Sequence, residues 1–150
     1  MFRHLKKLAH ARKPGYFCGA TGGANMLGAG AKIQAMVGTA KAEAAKAFYG
    51  GVLGLKLKSE DQFALVYELS DAPLRINRVP AVVPSTYAIL GFDVPNIAAT
   101  VRAVTASGAV MERYPFLQQD GDGVWTAPDG TKVAWFRDPD GNLLSIVQHA

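Results

Sequence analysis

From residue 32 onward the chain alternates short apolar stretches of period two with two stretches of helical period. Residues 33–37 (IQAMV) put Ile33, Ala35 and Val37 on one side and Gln34 and Met36 on the other, the pattern of a half-buried strand. Residues 40–50 (AKAEAAKAFYG) gather Ala44, Ala45, Phe48 and Tyr49 on one helical side, and Gly50, Gly51 and Gly54 end that helix. Extended segments follow at 55–58, 63–69 and 74–78, with Ser70, Asp71, Ala72 and Pro73 as the turn between the last two.

After residues 80–84 (PAVVP) the same order returns. Residues 87–94 read as a strand and 97–106 (IAATVRAVTA) as a helix stopped by Ser107 and Gly108. Extended segments are expected at 110–114, 124–127, 132–137 and 143–148, with turns at 120–123 and at two Pro-Asp-Gly units, 128–130 and 139–141. The pattern predicts a βαβββ unit written twice, an α+β fold. The first module spans about residues 31–79 and the second 86–149, within one domain at 31–149. Two copies make a structural repeat and not a solenoid, which needs at least three units.

Composition changes this picture mainly at the N-terminus. The 150 residues are 49% apolar and 19% charged, with 16 basic and 12 acidic side chains, as in one globular domain. The net charge of +4 is unevenly placed: residues 1–42 carry Arg3, Lys6, Lys7, Arg12, Lys13, Lys32 and Lys41 and no acid. The rest holds all 12 acids and is mildly acidic, so nucleic-acid binding is not expected. Residues 1–30 read as a basic, Gly/Ala-rich extension, expected to be flexible. Phe2, Leu5 and Leu8 would allow a short amphipathic helix before Pro14, and Met26 is an alternative start. No run approaches the roughly 20 apolar residues of a membrane span. Cys18 stands alone, which excludes an intrachain disulfide and fits a reducing compartment, by default the cytoplasm.

Two segments carry a family resemblance. AKAFYGGVLGL at 45–55 resembles the helix-end signature of the vicinal oxygen chelate superfamily, which includes glyoxalase I, bleomycin resistance proteins and extradiol dioxygenases. AWFRDPDGNLLSIVQ at 134–148 is similar to the final hairpin of the same superfamily. The resemblance implies that the two modules form a curved mixed-sheet cup around a small ligand, with the helices outside. In its metal-dependent members four strands supply one His, Glu or Gln each to a divalent ion. The matching positions here are Gln34, Arg75, Ile89 and Ser145. Only Gln34 is a credible donor, and an arginine adds repulsion, so neither a metal nor another cofactor is expected. The histidines do not repair the set, because His4, His10 and His149 lie at the chain ends.

Strand alternation then supplies a candidate binding set. Arg75 and Asn77 face the cup if Leu74 and Ile76 pack under the helix; Tyr87, Ile89 and Gly91 do so on the next strand; Leu143, Ser145 and Val147 on the last. A guanidinium inside an apolar cup needs an acid, water or an anionic guest. Arg75 therefore points to a carboxylate or phosphate, or else pairs with Glu68. Asn77, Gln34 and Ser145 would add neutral hydrogen bonds, and Tyr67, Tyr87 and Trp135 aromatic walls. No phosphate loop or Ser/His/Asp arrangement is present. Three readings stay open: a metal-independent small-molecule binder like the bleomycin resistance proteins, an enzyme of the superfamily (lyase, isomerase or dioxygenase), and a regulatory partner protein with a filled cup. The resemblance also implies a homodimer, with no nucleic-acid or membrane partner.

Overall fold

A computed structural model describes residues 30–150, of which Lys32–Ala150 form one compact unit. The expected basic helix, Cys18 and Met26 lie outside the described residues. Strands β1 (Ala35–Thr39), β2 (Lys56–Glu60), β3 (Ala64–Glu68) and β4 (Leu74–Arg78) make sheet one, ordered β1-β4-β3-β2. Strands β5 (Leu90–Asp93), β6 (Trp125–Thr126), β7 (Lys132–Arg137) and β8 (Leu143–Gln148) make sheet two, ordered β5-β8-β7-β6. The βαβββ unit is thus repeated. In each copy the first strand runs parallel to the fourth and the remaining pairs are antiparallel.

The sequence places several elements to the residue and misses others. Helix α2 (Ile97–Ala106) and strands β4, β7 and β8 begin and end as expected. The first strand begins two residues later than its apolar pattern, because pairing with β4 starts where the Ala35 amide donates to the Pro73 carbonyl at 3.1 Å. Ile33 and Gln34 consequently precede it and are exposed. The strand expected at 110–114 is instead a loop touching β7 through one bridge, Met111 to Phe136. The Gln119 side chain supplies the partners a ladder would have given: its Oε1 accepts from the Tyr114 amide at 2.8 Å, and its Nε2 donates to the Glu112 and Gly123 carbonyls.

One face of each sheet is covered. Val37, Leu65, Tyr67, Leu74 and Ile76 of sheet one share a single core with Ala134, Phe136, Leu144 and Ile146 of sheet two and with Ile97 and Val101 of α2. Helix α1 (Ala42–Lys46) continues into a wider turn, Ala47–Val52, where the Leu53 amide donates to the Phe48 carbonyl five residues back at 2.9 Å. Neighbouring rings of that turn serve different sheets. Tyr49 lies on Tyr67 of sheet one with centroids 6.0 Å apart, and Phe48 lies on Phe136 of sheet two at 6.2 Å. Tyr67 is therefore a core residue and not the cup wall expected for it.

A polar clasp joins the modules at one end of this core. The Asp138 carboxylate, 6% exposed, accepts from the Tyr49 hydroxyl at 2.9 Å, the Asn142 side-chain amide at 2.8 Å, and the Asp140 and Asn142 backbone amides. Asn142 also donates to the Gly38 carbonyl at 3.0 Å, while Asp140 accepts from the Thr39 hydroxyl and the Ala40 amide. The turn closes through Gly141, whose φ of +86° other residues adopt only with strain. The Asp-Pro-Asp-Gly-Asn segment is thus the part of module two that grips the end of β1 and the start of α1.

Burial first, and then the facing Asp138 carboxylate, raise the Tyr49 phenol far above its ordinary value. A raised folded pKa leaves this contribution intact below about pH 10, where the unfolded tyrosine titrates, and removes it as the pH climbs further. Burial also raises Tyr67 and Tyr114. The stability difference between wild type and Tyr49→Phe is therefore expected to shrink by up to about 1.4 kcal/mol per pH unit above pH 10. Urea unfolding across that range measures it, and parallel curves would rule out a buried neutral phenol.

Candidate functional site

The face of each sheet turned away from that core carries Arg75 and Asn77 on sheet one and Trp135 and Ser145 on sheet two. On sheet one, register aligns Met36, Arg75 and Val66 across β1, β4 and β3, followed by Gly38, Asn77 and Ala64. Leu74 and Ile76 are buried under the helix, as alternation requires, so Arg75 and Asn77 do face the free side. The Arg75 Nε donates to the Asn77 Oδ1 at 2.8 Å, which orients the guanidinium. Glu68, the alternative partner, lies 3.5 Å from Lys56 instead. No ion pair among the described residues includes Arg75. Asp61 is the acid that senses it: the Phe63 and Ala64 amides chiefly lower that carboxyl, and Arg75 and Arg78 add smaller effects.

On sheet two, register aligns Gly91, Ser145 and Trp135 across β5, β8 and β7. Leu90 and Phe92 pack against the core, so the alternation expected for β5 holds from Leu90 onward. Tyr87 and Ile89 precede the strand, and Tyr87 is 71% exposed. The Ile89 amide still donates to the Leu143 carbonyl at 2.9 Å, extending the ladder by one bond. Trp135 stands in an aromatic row: Tyr114 meets it edge-on at 5.5 Å, Trp125 lies 6.2 Å away, and Phe116 sits 5.5 Å beyond Tyr114.

Tyr114 and Phe116 are absent from the sequence-derived set. The loop that delivers them has no periodic signature, and the sequence offers only the Tyr-Pro-Phe cluster at 114–116. The seven expected residues fall into two groups. Arg75 and Asn77 are joined on sheet one, where Gln34 precedes β1; Ser145 and Trp135 are paired on sheet two, where Tyr87 and Ile89 precede β5. No hydrogen bond or ring contact among the described residues links one group to the other.

The donor set does not fit a divalent ion. Register puts Met36 beside Arg75 and Gly91 beside Ser145, which adds no carboxylate or imidazole to Gln34, Arg75, Ile89 and Ser145. Among the described residues no three His, Cys, Asp or Glu side chains gather as ligands. Among the described residues His149 is paired with a single acid, its Nε2 lying 3.7 Å from Asp93 Oδ2.

Known structures share this architecture. A bleomycin-binding protein complexed with bleomycin is 19% identical, covering 79% of this chain and 98% of its own, with a TM-score of 0.63. A glyoxalase/bleomycin resistance protein from Catenulispora acidiphila is 19% identical, with the same coverages and a TM-score of 0.62. Lactoylglutathione lyase from Agrobacterium tumefaciens is 18% identical, covering 79% of this chain and 93% of its own, with a TM-score of 0.61. At these identities the likeness is one of fold. No curated protein matches the chain. No described helix is long and apolar enough to cross a membrane. The family model for the Glyoxalase/Bleomycin resistance protein/Dioxygenase superfamily matches residues 33–146, and together with the doubled βαβββ architecture this makes the chain a member of that superfamily.

Proposed function

We propose that this chain binds a small anionic molecule on the free faces of its sheets, without a metal ion and without converting it. The supporting observation is Arg75: half-buried, oriented by Asn77, and outside every ion pair among the described residues. A carboxylate or phosphate meeting it would form charge-assisted hydrogen bonds in a partly dehydrated place. That the bleomycin-binding neighbour of the same fold is complexed with a small molecule supports the same reading. Because the two groups of candidate residues sit on different sheets, a homodimer in which one copy's sheet one faces its partner's sheet two would unite them. The lone cysteine fits residence in the cytoplasm.

Isothermal titration with benzoate and with inorganic phosphate tests this. Arg75→Ala is expected to weaken whichever anion binds by about 10- to 100-fold, the worth of one or two charge-assisted bonds. Unchanged affinity would remove Arg75 from the site, and a stoichiometric divalent ion in the purified protein would refute metal independence.

A further inference from the structure

We propose that the free face of sheet two is a shelf for a planar heteroaromatic ring, which lies on Gly91, is hydrogen-bonded at its edge by Ser145 and is walled by Trp135. This rests on the small-molecule reading above and names the class of molecule. A Cβ placed on Gly91 would stand 3.2 Å from the Ser145 Oγ and meet nothing else within 4 Å. The missing side chain therefore leaves a flat opening with a hydroxyl as its neighbour. Ser145 is 6% exposed, and no side-chain hydrogen bond among the described residues uses its hydroxyl, which leaves it open to the edge of a guest. A serine both donates and accepts, which suits a ring nitrogen or an N–H equally.

The wall is built before any guest arrives. Trp135 is braced by Tyr114 and Trp125, and the Tyr114 amide is fixed by the Gln119 side chain at 2.8 Å. The Arg113 guanidinium donates to the Asp120 and Gly121 carbonyls, tightening the same loop. A preformed aromatic surface avoids the ordering cost that a flexible one carries into binding. The matching row of sheet one, Met36, Arg75 and Val66, contains no glycine and no aromatic residue, so the shelf belongs to sheet two alone.

The test compares three carboxylates of equal charge on the full-length protein by titration calorimetry and tryptophan emission: quinoline-2-carboxylate, 2-naphthoate and cyclohexanecarboxylate. Quinoline-2-carboxylate is expected to bind about tenfold or more tighter than cyclohexanecarboxylate and to quench emission, with 2-naphthoate between them. In Gly91→Val that preference should fall to about unity, because the branched side chain occupies the shelf. Ser145→Ala, which keeps the fold and the opening, should weaken quinoline-2-carboxylate about three- to tenfold and bring it level with 2-naphthoate. Equal affinity for all three acids would overturn the shelf while leaving anion binding intact. A preference that survives Gly91→Val would also overturn it, and failure of every acid to bind would overturn both readings.

Discussion

Asp138→Ala is expected to lower the free energy of unfolding by about 3–5 kcal/mol, the scale of two or more buried donors left unsatisfied at about 1–3 kcal/mol each. The carboxylate satisfies four donors at once: the Tyr49 hydroxyl, the Asn142 side chain and two backbone amides. Alanine leaves the Tyr49 hydroxyl and the Asn142 amide buried without their acceptor, and the penalty of an unsatisfied group exceeds the net worth of a made bond. For a domain of this size the melting temperature should drop by roughly 10–20 °C. Asp138→Asn keeps the volume and one acceptor oxygen, so its loss should be smaller. Denaturant unfolding checks both variants, with an unchanged slope confirming that the native state keeps its compactness. A loss below about 1 kcal/mol would mean that solvent reaches these donors in the folded protein.

Phe136→Ala is the second large effect, at about 3–5 kcal/mol, the usual range for truncating a fully buried aromatic. Phe136 is 1% exposed and borders a cleft of about 180 Å³ with Leu53, Leu55, Phe92, Val104 and Ile146. Removing the ring enlarges a space that is already there, and the surrounding β-sheet and α2 leave little room for collapse. Because Phe136 supports Phe48, the double variant with Phe48→Ala should lose less than the two singles together by about 0.5–3 kcal/mol. Additive losses would show that the wide turn does not lean on sheet two.

How much of this was legible in the sequence depended on the range of the forces involved. Strand β4 was fully legible, because alternation of Leu74, Arg75, Ile76 and Asn77 is a local property and burial follows it residue by residue. Helix α2 was equally plain: Asn96 caps it by accepting from the Ala99 amide at 3.0 Å, and its apolar positions match the helical period. The Tyr49–Asp138 contact was not legible, since it joins positions 89 residues apart in the chain. The loop at 107–124 defeated the pattern for a different reason. Its β-like residues find partners in the Gln119 amide and the Arg113 guanidinium, which no periodicity encodes. The candidate site divides along the same line: the orientation of Arg75 came from alternation, whereas Tyr114 and Phe116, in the aromatic row of Trp135, came from that loop.

The clasp also breaks the symmetry of the repeat. The turn between β7 and β8 is fastened to the other half of the molecule through Asp138, Asp140 and Asn142, whereas its counterpart between β3 and β4, around Asp71, makes no such attachment among the described side-chain bonds. The two halves therefore carry unequal freedom to drift. Random substitution should be tolerated around residues 70–72 and punished around 138–142.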